Sequence, residues 1–324
     1  MSFTTTILQW FREHGRQLPW RGTHDAYAIW LSEIILQQTR IEQGSPYWHR
    51  FMHRWPTVEA LAAASEDEVL REWQGLGYYS RARNLHQAAR QVVAMGGFPR
   101  TIEGLRTLKG VGDYTAAAIG SIAFDLPAAV VDGNVYRVLA RHYGIATPIN
   151  TTEGKKEFAA LAQQLLPAGA ASAFNQAMMD FGAIQCMPQR PLCPQCPLQE
   201  TCVALRKGRV GELPVKERRL MVKERHLTYI YIRCKGETAI HRRPAGDIWQ
   251  GLYEPWLTET VPGGAVLLRQ GVKHVLTHRV LYADFWLWQT DERPALPDGY
   301  FWIAENEIEQ YGVPRLVQIL LDEL

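Results

Sequence analysis

Apolar runs long enough to cross a bilayer are missing from this sequence. The longest stretch of small apolar residues covers 116–124 and stops at Asp125, whereas a spanning helix needs roughly 20 apolar residues. Residues 1–20 hold no apolar core of the signal-peptide kind, because Arg12, Glu13 and His14 place charge there. We therefore expect no membrane partner and a location in the bacterial cytosol or nucleoid.

Cysteine and net charge are also scarce. Five cysteines among 324 residues are too few for a disulfide scaffold. The formal net charge of +2 neither requires nor excludes a nucleic acid, since the local clustering of charge matters more than its total. A hydrophobic fraction of 47% with 21% charged residues is typical of a folded globular protein, and the length favours two domains.

The pattern of apolar residues changes along the chain. From residue 1 to about 205, helical periodicity alternates with stops rich in Gly and Pro, which predicts an all-α domain over 1–205. Residues 206–225 hold eight Lys and Arg against three Glu, which predicts a basic linker. β-like runs at 227–232 and 282–288, followed by short helical segments, predict a smaller α+β domain over 226–324.

Four of the five cysteines lie within residues 186–202, and they are Cys186, Cys193, Cys196 and Cys202. Prolines flank them, so the segment forms a tight loop that can enclose a small inorganic core. Zinc accepts four cysteines as well, but one CxxC with a longer arm on each side suits a [4Fe–4S] cluster better. The fifth cysteine, Cys234, lies in a predicted strand, where we expect a buried core thiol.

Two glycines, Gly110 and Gly112, stand between two helical patterns within about 105–125, and Lys109 precedes them. Such glycines permit a tight turn whose amide groups point outward at the start of the next helix, an arrangement that binds phosphate. The Gly-x-Gly spacing is a weak signal by itself, because an ordinary corner between helices has it too.

Two carboxylates stand in positions that suit chemistry. Glu33 lies on a helix beside an apolar stripe that includes Trp30, and apolar neighbours would raise its pKa towards neutrality. The alternative is a solvated glutamate on an amphipathic helix. Asp132 precedes the apolar stripe of Val135 and Val138, where plain helix capping would also explain it.

The hairpin, the aspartate after it and the four-cysteine loop together resemble the endonuclease III superfamily of DNA glycosylases over roughly residues 10–205. Segments 32–39, 75–84 and 174–182, with the cysteine spacing, are similar to the MutY family of A/G-mismatch adenine DNA glycosylases. The resemblance implies a helix-hairpin-helix fold with an iron–sulfur loop. Its two all-α subdomains would hold DNA and the extruded base between them.

The resemblance also implies the type of reaction. Lyases of the superfamily carry a lysine where Tyr114 stands here, and no lysine occurs between Lys109 and Lys155. An imine intermediate is therefore not expected, and water is the final nucleophile. The implied substrate is double-stranded DNA with adenine opposite 8-oxoguanine or guanine, bound by a monomer.

Roles for single residues follow from the same resemblance. Glu33 would act as the general acid on the purine and then activate water, while Asp132 would stabilise the cationic sugar. Tyr114 and Asn134 would orient these groups. The residues expected to contact DNA are Gln37, Gln38, Tyr78, Lys109, Gly110, Gly112, Thr277 and His278. Among these, Gln38 and Tyr78 would wedge the duplex open, with ordinary packing as the alternative, and the hairpin would anchor a phosphate.

Residues 226–324 are similar to the Nudix-like domain with which this family recognises oxidised guanine. The matching patches are 242–244, 248–254 and 273–278. The glutamate-rich metal box of Nudix hydrolases is missing from the sequence, so we expect no pyrophosphatase activity. Where bacterial relatives have Phe-Ser-His, this chain has Leu276, Thr277 and His278, which keeps a hydroxyl and an imidazole but loses the aromatic ring. A plain strand-end histidine is the alternative for His278.

Two other functions are alternatives for this sequence. One is a bifunctional pyrimidine glycosylase/lyase of the endonuclease III type, which Tyr114 and the hundred additional residues disfavour. The other is a non-catalytic iron–sulfur protein that binds DNA or senses redox state, which the presence of both Glu33 and Asp132 disfavours.

Overall fold

The computed structural model describes residues 2–217, 223–276 and 279–324. The chain divides into two compact units. The first comprises Met1–Glu59 with Gln87–Arg218, and the second comprises Ala60–His86 with Arg219–Leu324. A helical segment from early in the chain therefore belongs to the same compact unit as the C-terminal region.

Helices account for the chain up to residue 206, as the periodicity predicts. They are α1 (Phe3–His14), α2 (Ala26–Leu36), α3 (Ile41–Arg54), α4 (Val58–Ala63), α5 (Glu66–Glu72), α6 (Ser80–Ala94), α7 (Ile102–Arg106), α8 (Asp113–Phe124), α9 (Gly133–Tyr143), α10 (Thr152–Leu165), α11 (Ala171–Asp180) and α12 (Val203–Arg206). A π-helical turn, Phe181–Gln185, continues α11 towards the cysteines. No helix within the described ranges has the length and apolarity to span a membrane.

Helices α2 and α8 are apolar on nearly all sides, and they pack against each other. A helix of that composition is stable only when it is enclosed. In α2 every residue from 27 to 32 is buried, and so are Ile34 and Ile35. Glu33 is thereby carried by an element that the hydrophobic effect holds in the interior of the first unit.

A second core joins α1, α9, α10 and α11 through large side chains such as Trp10, Phe158 and Phe174. Leu213, from the segment predicted as a linker, is buried in the same core. Arg141 Nε donates to Leu213 O at 3.0 Å, and Ile149 N donates to Val215 O at 3.0 Å. Of the expected linker 206–225, residues up to 217 are thus attached to the helical unit, and the first strand already begins at Lys223.

The described part of the C-terminal region is a mixed sheet with one α-helix and a 3-10 helix, Glu305–Gln310. Its elements are β1 (Lys223–Cys234), β2 (Glu237–Arg242), β3 (Tyr253–Glu254), β4 (Trp256–Leu257), β5 (Val266–Leu276), β6 (Arg279–Thr290), β7 (Tyr300–Ala304) and α13 (Arg315–Leu321). The strand order is β3-β2-β1-β6-β5, with β4 on β1 and β7 on β2, and only the β1–β6 pair among those described is parallel. The predicted α+β class is confirmed.

Each face of the sheet carries a hydrophobic cluster. On one face Tyr229 and Phe285 pack against Leu316 and Leu320 of α13. On the other face Ile230, Ile232 and Ala239 form a smaller core, bordered by half-buried tryptophans that include Trp286, Trp288 and Trp302. Cys234 is 2% exposed at the end of β1, which confirms the prediction of a core thiol.

Candidate active site

Glu33 and Tyr114 meet in the first unit, although 80 residues separate them in the chain. The Tyr114 hydroxyl donates to Glu33 Oε2 at 2.9 Å, and it lies 3.6 Å from Met179 Sδ. Tyr114 stands in the first turn of α8, and Glu33 stands in the last part of α2. The packing of these two apolar helices therefore brings a phenol and a carboxyl group together.

Asp132 is the N-cap of α9, as the capping alternative predicts. Its Oδ1 accepts from the backbone amides of Asn134 (2.9 Å) and Val135 (2.8 Å), and its Oδ2 accepts from Asn134 Nδ2 (2.7 Å). Three donors hold the carboxylate in one orientation. Capping does not exclude a chemical role, because the Asp132 charge also acts on Glu33.

The surroundings of Glu33 raise the pKa of its carboxyl group close to neutral pH. Burial, reinforced by the negative charge of Asp132, raises the pKa of Glu33 to about 7, although the Tyr114 hydrogen bond and Arg21 act in the opposite direction. Burial also raises the pKa of Asp132, against the hydrogen bonds from Val135 and Asn134. Burial and the neighbouring carboxylates raise the pKa of Tyr114, which keeps it a neutral donor. A carboxyl group that is half protonated at pH 7 can give a proton and then take one back.

The sequence analysis missed Asp180, the carboxylate that binds Arg21, and Arg21 in turn acts on Glu33. Asp180 is fully buried and accepts two hydrogen bonds from the Arg21 guanidinium, at 2.6 and 2.8 Å, and further ones from Arg16. Burial would raise the pKa of Asp180, but the bonds from Arg21 and Arg16 lower it overall. Arg21, fixed in this way, also lines a narrow cavity with Trp20, Glu33, Gln176 and Met179. An acidic residue among apolar neighbours at 177–181 was the available signal.

A chain of hydrogen bonds leads from Asp132 towards the first cysteine. Asn134, bonded to Asp132, accepts through Oδ1 from Arg137 Nη2 at 2.8 Å. The same guanidinium donates to Gly182 O at 2.6 Å and, through Nε, to Cys186 O at 2.7 Å. The Asn134 side chain is therefore held at both ends of its amide group, by Asp132 at Nδ2 and by Arg137 at Oδ1.

Comparison with known proteins agrees with this geometry. Residues 31–168 match the HhH-GPD superfamily base excision DNA repair protein, and residues 228–323 match the NUDIX domain. The adenine DNA glycosylase of Buchnera aphidicola (from Schizaphis graminum) is 32% identical over 254 residues, which cover 78% of this chain and 73% of that protein. The chain belongs to the adenine DNA glycosylase family.

A mammalian relative and a solved structure are also similar to this chain. The mouse adenine DNA glycosylase is 46% identical over 223 residues, 65% of this chain, but the match spans only 43% of the mouse protein. The solved structure of a thermostable thymine-DNA glycosylase matches with a TM-score of 0.59 and 33% sequence identity. The match covers 63% of this chain and 95% of the chain in that structure. The predicted fold class, a helix-hairpin-helix domain followed by a Nudix-like domain, is confirmed.

The four clustered cysteines of this family member line one cavity, together with Arg141 and Leu192. Burial, with the charges of the other three thiols, raises the pKa of Cys196 to about 11. Arg141 Nη1 donates to Cys186 Sγ at 3.4 Å. Within the described ranges no three His, Cys, Asp or Glu side chains converge closely enough to hold a single metal ion. Four thiols around one cavity fit a positively charged group larger than a single ion, because thiolates need a positive partner, and the Arg141 guanidinium would offset the remaining negative charge.

The predicted hairpin lies between α7 and α8. Gly110 has φ +77°, in the region that favours glycine, and Gly112 is the N-cap of α8. A Cβ atom built at Gly112 would meet nothing within 4 Å, so the helix start faces open space. Lys109 is exposed beside it, and its amide donates to Gln91 Oε1 at 2.7 Å. Since Tyr114 follows on the same helix, the turn and the Glu33 site share one element.

Three of the other residues predicted to contact DNA, Gln37, Gln38 and Tyr78, lie among the described residues. Gln37 Nε2 donates to Thr115 Oγ1 at 3.2 Å, which connects the end of α2 to α8. Gln38, exposed in the first unit, and Tyr78, 47% exposed in the second, both have left-handed backbones, with φ of 57° and 48°. Non-glycine residues in that region carry strain that is often found at functional positions. Thr277 and His278 lie outside the described residues.

Proposed function

We propose that the protein is a monofunctional DNA glycosylase that removes adenine mispaired with 8-oxoguanine or guanine. The observation that carries the proposal is the half-buried Glu33 carboxyl group, which accepts a hydrogen bond from Tyr114 and whose pKa of about 7 is influenced by Asp132. Cleavage of an N-glycosidic bond to a purine needs a proton on the departing base and a negative charge near the developing sugar cation. The site contains one group for each task.

In the proposed mechanism, Glu33 gives its proton to a ring nitrogen of adenine while the bond to the sugar breaks. The electron pair leaves with the base, and the carboxylate of Asp132 stabilises the oxocarbenium-like sugar that remains. Glu33, now ionised, takes a proton from the water that attacks the sugar. Asn134 holds Asp132 in place throughout, and Tyr114 orients the Glu33 carboxyl group.

DNA is the proposed partner, and several described features support its binding. The hairpin at Gly110–Gly112 would anchor a phosphate at the start of α8, with Lys109 adding positive charge. Gln38 and Tyr78 would enter the duplex when the adenine leaves the stack. Excision of the base is proposed for the domain over 1–205. Recognition of 8-oxoguanine is proposed for the domain over 226–324, through Thr277 and His278.

Cys186, Cys193, Cys196 and Cys202 are the residues that we propose to hold a [4Fe–4S] cluster. When bound, such a cluster supplies a covalent cross-link of the loop and a one-electron redox centre. Arg141 would donate to the Cys186 thiolate, and Arg137 would connect the loop to Asn134. These two arginines are the support that the chain itself provides.

A single-turnover assay tests the proposed function. The protein is mixed in excess with duplexes that contain adenine opposite 8-oxoguanine, adenine opposite guanine, or an oxidised pyrimidine. Excision of adenine from the first two duplexes is expected, with no stable protein–DNA cross-link after borohydride. A cross-link on the oxidised pyrimidine would indicate a lyase instead, and tight binding without excision would indicate a non-catalytic protein.

A further inference from the structure

The loop 73–79 connects α5 to α6 and carries Tyr78, and all of it belongs to the second compact unit. Gly77 and Tyr78 both have left-handed backbones, with φ of 76° and 48°. Glycine adopts this conformation readily, whereas a tyrosine keeps it only when its surroundings impose it. The contacts around these two residues therefore have to supply that constraint.

The carbonyl group of Gly77 receives two hydrogen bonds. Trp73 Nε1 donates to Gly77 O at 2.9 Å, and Arg81 Nη2, from the first turn of α6, donates to the same oxygen at 3.2 Å. Both donor residues are buried. The carbonyl of Gly77 and the amide nitrogen of Tyr78 belong to one planar peptide group. The two hydrogen bonds thus fix the plane from which the Tyr78 side chain projects.

The Arg81 guanidinium also lies beside aromatic rings. Its Cζ atom is 5.2 Å from the centre of the Trp73 ring and 5.6 Å from the centre of the Tyr78 ring. Burial lowers the pKa of Arg81 to about 10, so the side chain is still charged at neutral pH, and an aromatic face attracts a cation. One side chain therefore acts on both the ring of Tyr78 and the peptide group before it, while much of Tyr78 stays exposed.

Other contacts hold the backbone elsewhere in the loop. Gly75 N donates to the hydroxyl oxygen of Tyr79 at 3.3 Å. The bond from Arg81 Nη2 to Leu76 O is longer, at 3.4 Å. Loss of the Arg81 guanidinium should therefore keep the path of the loop but release Tyr78 within it.

We propose that Arg81 is a positioning residue, which holds Tyr78 in the conformation that enters the duplex. The proposal rests on the proposed function, in which Tyr78 acts as a wedge when the adenine leaves the stack. Arg81 would act through Tyr78 and not on the reacting atoms. A ring that is oriented before DNA arrives loses less conformational freedom on binding, which favours the productive complex. Lysine cannot replace arginine here, because its ammonium group lacks the planar fork that serves a carbonyl and a ring together.

The conformational effect is tested first, on the full-length protein without DNA. Amide hydrogen exchange is compared between the wild type, Arg81→Lys, and the control Arg90→Lys, which changes an exposed arginine of the same helix. We expect exchange in peptides that cover 73–79 to quicken about fivefold or more in Arg81→Lys only. Trp73→Phe, which removes the other donor to Gly77 O, should quicken it too. Unchanged exchange in Arg81→Lys would overturn the proposal.

A double-mutant cycle then shows whether Arg81 acts through Tyr78. Single-turnover excision of adenine opposite 8-oxoguanine is measured for Arg81→Lys, Tyr78→Ala and the double variant. Arg81→Lys alone should slow excision about tenfold. In the Tyr78→Ala background the same change should slow it less than twofold, because the ring that Arg81 orients is gone. Equal slowing in both backgrounds, or none in either, would contradict the proposal.

A third measurement separates this proposal from the proposed function. A duplex with 2-aminopurine beside the adenine becomes more fluorescent when the bases unstack, and this signal needs no excision. In Arg81→Lys the rise on binding should fall at least about threefold, towards that of Tyr78→Ala, while Arg90→Lys should match the wild type. A full rise in Arg81→Lys would refute the positioning role. If the wild type excised no adenine at all, the proposed function would fail, and the exchange and fluorescence results would still decide the role of Arg81.

Discussion

The Tyr114 hydroxyl lies 2.9 Å from Glu33 Oε2 and donates to it, so that a neutral phenol stabilises the ionised form of a half-buried carboxyl group. Burial alone would drive the pKa of Glu33 higher, and this hydrogen bond keeps it at about 7. The pair therefore balances proton donation against water activation. This balance is the property that the proposed mechanism uses.

The pH dependence of excision should report that balance. Glu33 must be protonated to act, so the single-turnover rate should fall as pH rises through about 7. Asp132 must be ionised, so the rate should also fall at acidic pH, below a pKa that burial raises above its ordinary value. In Tyr114→Phe the loss of the donor raises the pKa of Glu33 further, and the alkaline limb should move to higher pH. A limb that stays in place, or moves down, would contradict the assigned contact.

Asp132→Asn separates helix capping from chemistry. Asparagine is as good an N-cap as aspartate, so the unfolding free energy should change by only about 1 kcal/mol. It carries no negative charge, so excision should fall by at least about a hundredfold. Urea unfolding and single-turnover kinetics on the same preparation check the two parts. If the excision rate fell less than tenfold while stability stayed normal, Asp132 would act only as the N-cap of α9.

Substitution of Asp180 should lower the free energy of unfolding. In Asp180→Asn the paired Arg16 and Arg21 lose a buried counter-charge, for which we expect a cost of about 3 kcal/mol in urea unfolding. Because the folded pKa of Asp180 is lowered, this stabilisation is present above its ordinary pKa and is lost as pH falls through the folded value. The control Asp125→Asn, at an exposed residue with φ of 53°, should change stability by less than about 0.5 kcal/mol. Equal effects of the two variants would be the contrary result.

The four-cysteine loop should hold iron rather than zinc. Protein purified without oxygen should contain about four iron atoms per chain with visible absorbance. Cys196→Ser should lose most of both, whereas Cys234→Ala, which changes a core thiol in β1, should keep them. Stoichiometric zinc without visible absorbance would overturn the assignment and favour a zinc site.

The sequence located the elements because their signals are local. Apolar periodicity placed the helices, the spacing of the cysteines marked the loop, and the glycines at 110 and 112 marked the hairpin. Asp180 with its two arginines was not predicted, because a buried ion pair depends on which distant segments meet. For the same reason nothing in residues 60–86 indicated that they share a compact unit with the C-terminal sheet, or that Arg242 would bond to α5. Leu213 lay hidden in a segment whose charge suggested a linker.

The most direct measurement is single-turnover excision of adenine opposite 8-oxoguanine by Glu33→Gln. Its control is Glu42→Gln, which changes an exposed glutamate in the first turn of α3. We expect Glu33→Gln to bind the duplex as tightly as the wild type but to excise adenine at least about a thousandfold more slowly, while Glu42→Gln remains fully active. Near-normal excision by Glu33→Gln would contradict the assignment of Glu33 as the proton donor.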